Sequence, residues 1–598
     1  MPLQSAPTGA FALFEDNLRK PARAHLLHDC RAWLNITDPA ALPAAFAALD
    51  EARQQGQWIA LAAHYELGLA LEPALASRCP PGTPLLRAWI FNQASELTGE
   101  ALEAWWASRL GELTPAQREA GLLQLAPDWA QATHAQALAR ILAWIHAGDC
   151  YQVNLTFPLR GQHYGHPLAL ASQLRASQPV AHGALIHDGA DWIISRSPEL
   201  FMARQGERLL TRPMKGTAAR LPDPQADADA AAALLASPKD QAENLMIVDL
   251  IRNDLGRLTP PGGVRVTRLF ELEHYPSVYQ LTSSIEAAPV RAGLAEILRA
   301  LFPCGSVTGA PKIRAMQIID ELEASPRGLY CGALGWLAPS GDFSLNVPIR
   351  TLQVTAAGDC QLNVGSGIVA DSEAASEYRE CLSKATFALQ TPLQLIETLR
   401  READGSYPRL PGHLARLQRS ASELGFACPP ERALCEALQA QPAAGGPSRV
   451  RLLLSRDGRI DISCAVLDPL PARLQLGLAP FALDAHDPRL RHKTTARRFY
   501  DEALQAAMQR GLFDLVFCNQ AGEVCEGARS NLFIETDGGL LTPASSCGLL
   551  PGVLRAELLA SAQAREAVLT LTDLRQARRI FAGNALRGLL EVELVPAP

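Results

Sequence analysis

The stretch whose reading decides the fold is Leu209–Arg220, LLTRPMKGTAAR. It opens with apolar residues in the manner of a strand, and Pro213–Thr217 then set a lysine between a methionine and a Gly-Thr pair. A lysine in a surface turn is a solvated charge. A lysine partly enclosed in a cleft is different. Its ammonium is costly to desolvate, its pKa falls, and the neutral amine becomes a nucleophile or base near neutral pH. The surrounding sequence decides between these readings.

Three acidic segments flank this lysine: SRSPELF, with Glu199; KDQAENLMIVDLIRNDLG, which reads as a helix with Glu243 near its start and Asp249 and Asp254 further on; and GSGIVADSEAASEYRECLSKA. If the third is helical, Glu373, Glu377, Glu380 and Lys384 share one stripe. The plain reading of such a stripe is a solvated helix face. The run NVGSG, Asn363–Gly367, stands immediately upstream and reads as a glycine-rich turn whose N–H groups can approach an anion. Two carboxylates from different helices over such a turn suit Mg²⁺, a hard cation that takes oxygen ligands and bridges to anionic substrates. In FPCGSVTGAPKIRAMQIIDELE, Pro311 suits a first helical turn, and Ile313, Met316, Ile319 and Leu322 form a face for the core. In GDFSLNVPIRTLQV, Arg350 ends a strand, and is either a bidentate partner for a carboxylate or one half of a structural ion pair.

Composition bounds the rest. The 598 residues allow several domains, and 48% hydrophobic content can fill large cores. A net charge of −7 without a basic tract predicts no nucleic-acid partner. The 13 cysteines form no CxxC pair, which argues against a zinc ribbon or disulfide framework and fits a reducing cytosol. The N-terminal MPLQSAPTGAFALFEDNLRK does not read as a secretory signal, and no run of about 18 uncharged apolar residues predicts a membrane span. A cytoplasmic protein is therefore expected. A joint is expected at Ala388–Pro392, giving modules 1–389 and 390–598, with a soft loop at Gln439–Ser448.

Taken together, PMKGT, SPELF, ENLMIVDLIRNDLG, FPCGSVTGAPKIRAMQII and GSGIVADS…EYRE resemble the chorismate-utilising enzymes, over Phe11–Leu389 and most densely over 136–389. The resemblance implies an α/β (α+β) fold of layered antiparallel sheets and helices, with Mg²⁺ holding chorismate. It implies that Lys215 adds covalently at C2 of chorismate so that ammonia attacks C4. Members without that lysine add ammonia at C2, which makes an anthranilate synthase-like chain the nearest rival. It also implies that Glu199 is the general acid/base and that Glu243 and Glu380 are metal ligands. Gly216, Thr217, Tyr330, Arg350, Gly365, Gly367 and Lys384 are implied to hold chorismate. Gln152 stands where water-using members carry a lysine, which argues against water as nucleophile. Gln280 replaces a histidine found in many relatives.

The C-terminal 200 or so residues raise a second lysine question. RLRHKTTARRFYDEALQAA places Lys493 at the mouth of a helix, among arginines that by themselves suggest a surface. GEVCEGARSNLFIE, LLTPASSCGLLPGVLRAELL and IFAGNALRGLLEV follow. Glu526 needs a cationic or N–H partner, and Gly552-Val553 opens a helix whose N–H groups suit a phosphate. The pattern resembles the fold-type IV pyridoxal-phosphate enzymes over Leu393–Pro598, a module of two subdomains. The resemblance implies that Lys493 is the Schiff-base lysine, that Glu526 pairs with the pyridine nitrogen, and that Arg416, Gly552 and Val553 contact the phosphate. Asn584 and Arg587 are candidates for substrate or local loop contacts.

The expected function is synthesis of 4-aminobenzoate in two steps: amination of chorismate, then cofactor-dependent loss of pyruvate. The motifs leave lyase and aminotransferase open for the second module, and an inactive second module as well. A binding protein on a degenerate enzyme fold is the rival from another class. No glutaminase segment is found, so a separate glutamine amidotransferase subunit is expected to supply ammonia. A homodimer through the second module is a further expectation.

Overall fold

A computed structural model describes residues 3–275, 278–389, 393–442 and 445–595. The chain divides into two compact units. The first holds the residues up to Ser108, with Leu125–Gly161 and Ala171–Ala388. The second holds Arg109–Gln124, Gln162–Leu170 and the chain from Leu389 onward. The expected joint at Ala388–Pro392 and loop at Gln439–Ser448 each fall partly outside the described residues. No described helix is long and apolar enough to cross a membrane.

A 19-stranded sheet runs through the first unit. Arg23–Ile36 and Leu86–Thr98 pair antiparallel along nearly their whole length and form its spine. On one side, pairing passes through Phe11–Asp16, His182–His187 and Trp192–Ser197 to Thr351–Val354 and Asp359–Ile368. On the other side it passes through Trp58–Ala63, Ala333–Leu337 and Phe343–Asn346 to Leu200–Gln205. Two consecutive strands therefore cross from one arm to the other at the same level. One crosses at Pro198-Glu199 and its neighbour at Val347–Arg350. The crossing is tied by Val347 N–H donating to Glu199 O at 3.1 Å and Arg196 N–H donating to Arg350 O at 3.0 Å. Arg350 therefore sits in the break between two strands rather than at the end of one, in the left-handed region at φ 49°.

Helices cover this sheet. Pro238–Gly256 starts where Ser237 Oγ accepts from Asp240 N at 3.2 Å, with proline at its first position. It buries Asn244, Ile247, Val248, Ile251 and Leu255, a helical stripe. Asp254 accepts from Lys312 at 2.6 Å and Asp249 pairs with Arg252 at 2.8 Å, so both are satisfied locally. Lys312–Leu322 follows Pro311 and buries Ala315, Met316, Ile318 and Ile319. Ile313, expected on the core face, is exposed, because the buried stripe is centred on 315–319. The NVGSG run is not a turn. It lies inside the strand Asp359–Ile368, where glycine serves close approach rather than reversal.

Among the described residues from Leu393 onward, the second unit forms two sheets. Leu395–Arg401, Ser448–Leu454 and Ile460–Val466 form an antiparallel three-stranded sheet. The strict alternation of Ser448–Leu454 turns Val450, Leu452 and Leu454 toward the helices Leu410–Leu424 and Glu431–Gln439. The other sheet has seven strands in the order Asp514–Val516, Gln475–Leu478, Gly588–Leu594, Arg579–Asn584, Asn531–Thr536, Gly539–Pro543, Ala564–Ala567. The helix Arg498–Gln509 packs on it through Phe499, Tyr500 and Ala507.

Candidate active sites

In the first unit, Lys215 lies in the strand Met214–Ala219 and is half-buried. Burial lowers its pKa; Glu243, Glu199 and Glu380 oppose that shift and Lys384 adds to it. The three carboxylates singled out in the sequence thus surround the one amine. Glu199, at the crossing, is 3% exposed. Burial pushes its carboxyl up to about 7, against the hydrogen bond from Ser306 and the charge of Lys215. Ser306 Oγ donates to Glu199 Oε1 at 2.6 Å. Sequence reasoning missed Ser306, although it stands inside the quoted FPCGSVTG run.

Glu243 reaches the site from the helix Pro238–Gly256, its pKa raised by burial against the pull of Lys215. Glu380 comes from Ala374–Ser383 and pairs with Lys384 at 2.8 Å. Lys384 also donates to Gly365 O at 2.8 Å. Glu377, on the same helix, instead accepts from Ser372 Oγ at 2.7 Å. Among the described residues no group of three or more His, Cys, Asp or Glu side chains is gathered to hold a metal ion. Glu243 and Glu380, both acting on Lys215, are oxygen donors of the kind that suits Mg²⁺, which keeps waters and takes substrate oxygens for its remaining positions.

The glycines are explained by their neighbours. A Cβ on Gly367 would lie 2.9 Å from Gln152 Nε2 and 3.2 Å from Lys215 Nζ. A Cβ on Gly365 would lie 2.7 Å from Leu155 O. Gly216 has φ +86°, which L side chains rarely adopt. Gln152 is fully buried, and neither end of its amide has a hydrogen-bond partner among the described residues. Gln280 Nε2 donates to Thr217 Oγ1 at 3.1 Å, so this departure from the usual histidine braces the PMKGT strand. Tyr330 is buried. Arg350 lies beside Tyr275, whose hydroxyl donates to Glu273 at 2.8 Å and to Pro198 O at 3.3 Å. The Arg350 guanidinium has no ion-pair partner among the described residues and stays available to a carboxylate.

In the second unit, Lys493, Arg416, Glu526, Gly552, Val553, Asn584 and Arg587 all line one cavity of about 620 Å³. Lys493 follows a short 3-10 turn and lies five residues ahead of the helix Arg498–Gln509. Its carbonyl accepts from Ile396 N at 2.7 Å. Burial brings its amine down to about 7, helped by Arg497 and Arg416 and opposed by Glu397 and Glu526. Glu526 is 5% exposed, and burial pushes it up to about 7.

Arg416 projects from Leu410–Leu424 and grips Glu397 with Nε at 2.9 Å and Nη2 at 2.6 Å. His413 Nδ1 meets the same carboxylate at 2.6 Å, while its Nε2 is buried without a hydrogen-bond partner among the described residues. Burial alone would raise Glu397, but Arg416 and His413 outweigh it and hold the carboxyl down at about 2. Glu397 and His413 were not anticipated. The signal was a glutamate inside the apolar strand LIETL, which has to find a cation. Gly552 caps the helix Val553–Ala560. Asn584 Oδ1 accepts from Leu586 N and Arg587 N at 3.1 and 2.9 Å, contacts within its own loop.

Residues 14–390 match the chorismate binding enzyme family, and residues 394–595 match amino-transferase class IV. The first match spans more than half the chain, and the protein belongs to the chorismate binding enzyme family. It is 44% identical over 264 residues to aminodeoxychorismate synthase component 1 of Salmonella typhimurium, covering 44% of this chain and 57% of that protein. It is 39% identical over 292 residues to anthranilate synthase component 1 of Thermus thermophilus, covering 48% of this chain and 63% of that one. The chain thus spans less than two thirds of either relative's length. Anthranilate synthase component I from Streptococcus pneumoniae superposes with a TM-score of 0.51 at 25% identity, over 64% of this chain and 91% of that one.

Proposed function

We propose that the chain makes 4-aminobenzoate in two steps. The first unit converts chorismate and ammonia to 4-amino-4-deoxychorismate, and the second removes pyruvate. The observation that carries this reading is Lys215, half-buried among Glu199, Glu243 and Glu380 with its pKa lowered. The likeness to an aminodeoxychorismate synthase supports it.

In the first step the neutral Lys215 amine bonds to C2 of the ring, the double bonds shift, and the C4–O bond breaks. Glu199 is protonated near neutral pH and gives its proton to the departing hydroxyl, which leaves as water. Ammonia then bonds to C4 and gives a proton back to the Glu199 carboxylate, and the C2–Nζ bond breaks to return Lys215 as a neutral amine. Glu243 and Glu380 would hold Mg²⁺, which would neutralise a substrate carboxylate. Arg350 would take the other carboxylate. Buried Gln152 has no basic nitrogen, which keeps water from being activated there.

In the second unit the cavity, the lowered lysine and the buried carboxylate fit pyridoxal phosphate. When bound, this cofactor supplies an electron sink. Lys493 would hold it and move protons at its own nitrogen. Glu526 would face the pyridine nitrogen, while Arg416 and the N–H groups of Gly552 and Val553 would receive the phosphate. Glu397 keeps Arg416 turned to its place.

The same reading takes ammonia from a separate glutaminase subunit and sets the chain in the cytoplasm. It pairs the second unit with its own copy, supported by exposed Val466, Leu470 and Met508 on the cavity wall. The test is an assay of the purified chain with chorismate, Mg²⁺ and ammonium, with and without pyridoxal phosphate. 4-Aminobenzoate and pyruvate are expected only with the cofactor, and Lys215→Ala should abolish or divert the first step. Anthranilate from the unaltered chain would overturn the reading.

A further inference from the structure

We infer that Tyr500 is the positioning residue for Glu526, fixing the carboxylate that is to meet the pyridine nitrogen. This rests on the reading of the second unit given above. Tyr500 stands in the first turn of Arg498–Gln509 and is 7% exposed. Its hydroxyl donates to Glu526 Oε1 at 2.8 Å, and both residues line the cavity. Its ring is wedged between Phe499 at 4.3 Å and Phe517, met edge-on, at 4.9 Å. The hydroxyl therefore has one place to be.

No other side chain among the described residues hydrogen-bonds the Glu526 carboxylate. Arg497 faces it, but its guanidinium is spent on Asp501 at 3.0 Å and Ala528 O at 2.6 Å. The remaining groups around Glu526 are Lys493 across the cavity, the Cys525 thiol beside it and the Leu550 backbone N–H. A buried carboxylate with so few partners is drawn toward its protonated form. A protonated glutamic acid would be a poor partner for a pyridinium. The tyrosine hydroxyl donates to the ionised form and favours it, and it also stops the carboxylate from rotating away.

The experiment uses the full chain freed of cofactor and titrated with pyridoxal phosphate between pH 6 and 9. Binding is read from the cofactor's absorbance, and fold integrity from circular dichroism. Tyr500→Phe keeps the ring and its packing. It should weaken binding about tenfold at pH 7, with the loss shrinking toward pH 9 as Glu526 ionises unaided. Glu526→Gln should weaken binding too, and adding Tyr500→Phe to it should cost nothing more. Unchanged affinity and pH profile in Tyr500→Phe would overturn the inference, as would an equal loss in the Glu526→Gln background. In either case the reading of the unit would stand. Failure of the unaltered chain to take up the cofactor would sink that reading and the inference with it.

Discussion

Burial shifts Glu199 and Lys215 in opposite directions. The acid is pushed up to about 7 and the amine is lowered from its ordinary value, so the acid keeps its proton further toward neutrality and the amine holds its proton less tightly. Glu199→Gln should cut chorismate consumption by about 10²–10⁴-fold. The same substitution has a stability signature of definite sign. The native carboxyl, at about 7, keeps a proton that the unfolded chain, at 4.5, has already released. Its contribution is therefore complete below pH 4.5 and is lost as pH rises through about 7. Melting curves from pH 5 to 8 should show the wild type losing ground to Glu199→Gln as pH rises. A constant difference would mean that the carboxyl is not held protonated.

At the scale of elements, the strand Asp359–Ile368 carries two glycines with different jobs. Gly367 faces the tips of Gln152 and Lys215, which can yield; Gly365 faces the backbone oxygen of Leu155, which cannot. Gly367→Ala should displace the amine and lower the first step about 10–100-fold with little change in melting temperature. Gly365→Ala should instead cost stability, about 1–3 kcal/mol, as overpacking does. Equal effects of the two on rate and on melting would contradict this assignment. These glycines also mark where the sequence was legible and where it was not. A place beside a bound anion could be expected of them, but their strand could not, since a Gly-Ser-Gly run has the composition of a turn and only pairing partners distant in sequence make it a strand. The same holds for Ile313, whose helix was legible from Pro311 onward. Which side of that helix met the core depended on neighbours that no local pattern names. The long helix with Glu243 was readable because its apolar residues and its helix-forming neighbours lie within one segment. Ser306 and Glu397 were not singled out, because the role of each is defined by a partner more than 15 residues away.

At the scale of the molecule, the charges that act most on each lysine belong to its own unit. Lys215→Ala should leave pyridoxal phosphate uptake intact, and Lys493→Ala should leave 4-amino-4-deoxychorismate formation intact but end its conversion. Chromatography of the products, beside the cofactor's absorbance, checks both. Loss of both activities in either variant would mean that the sites are not independent. The two-module organisation was legible because each module carries its own motif set. The assignment of Arg109–Gln124 and Gln162–Leu170 to the second unit was not, since nothing in their composition sets them apart.

The double crossing at Pro198-Glu199 and Val347–Arg350 has a metrological consequence. On the proposed reading, proton donor and carboxylate grip are graduations on one ruler, tied by two backbone hydrogen bonds. Flexing of the large sheet would then carry both marks together, and the gauge length between the clamped end of a substrate and its departing oxygen would be preserved.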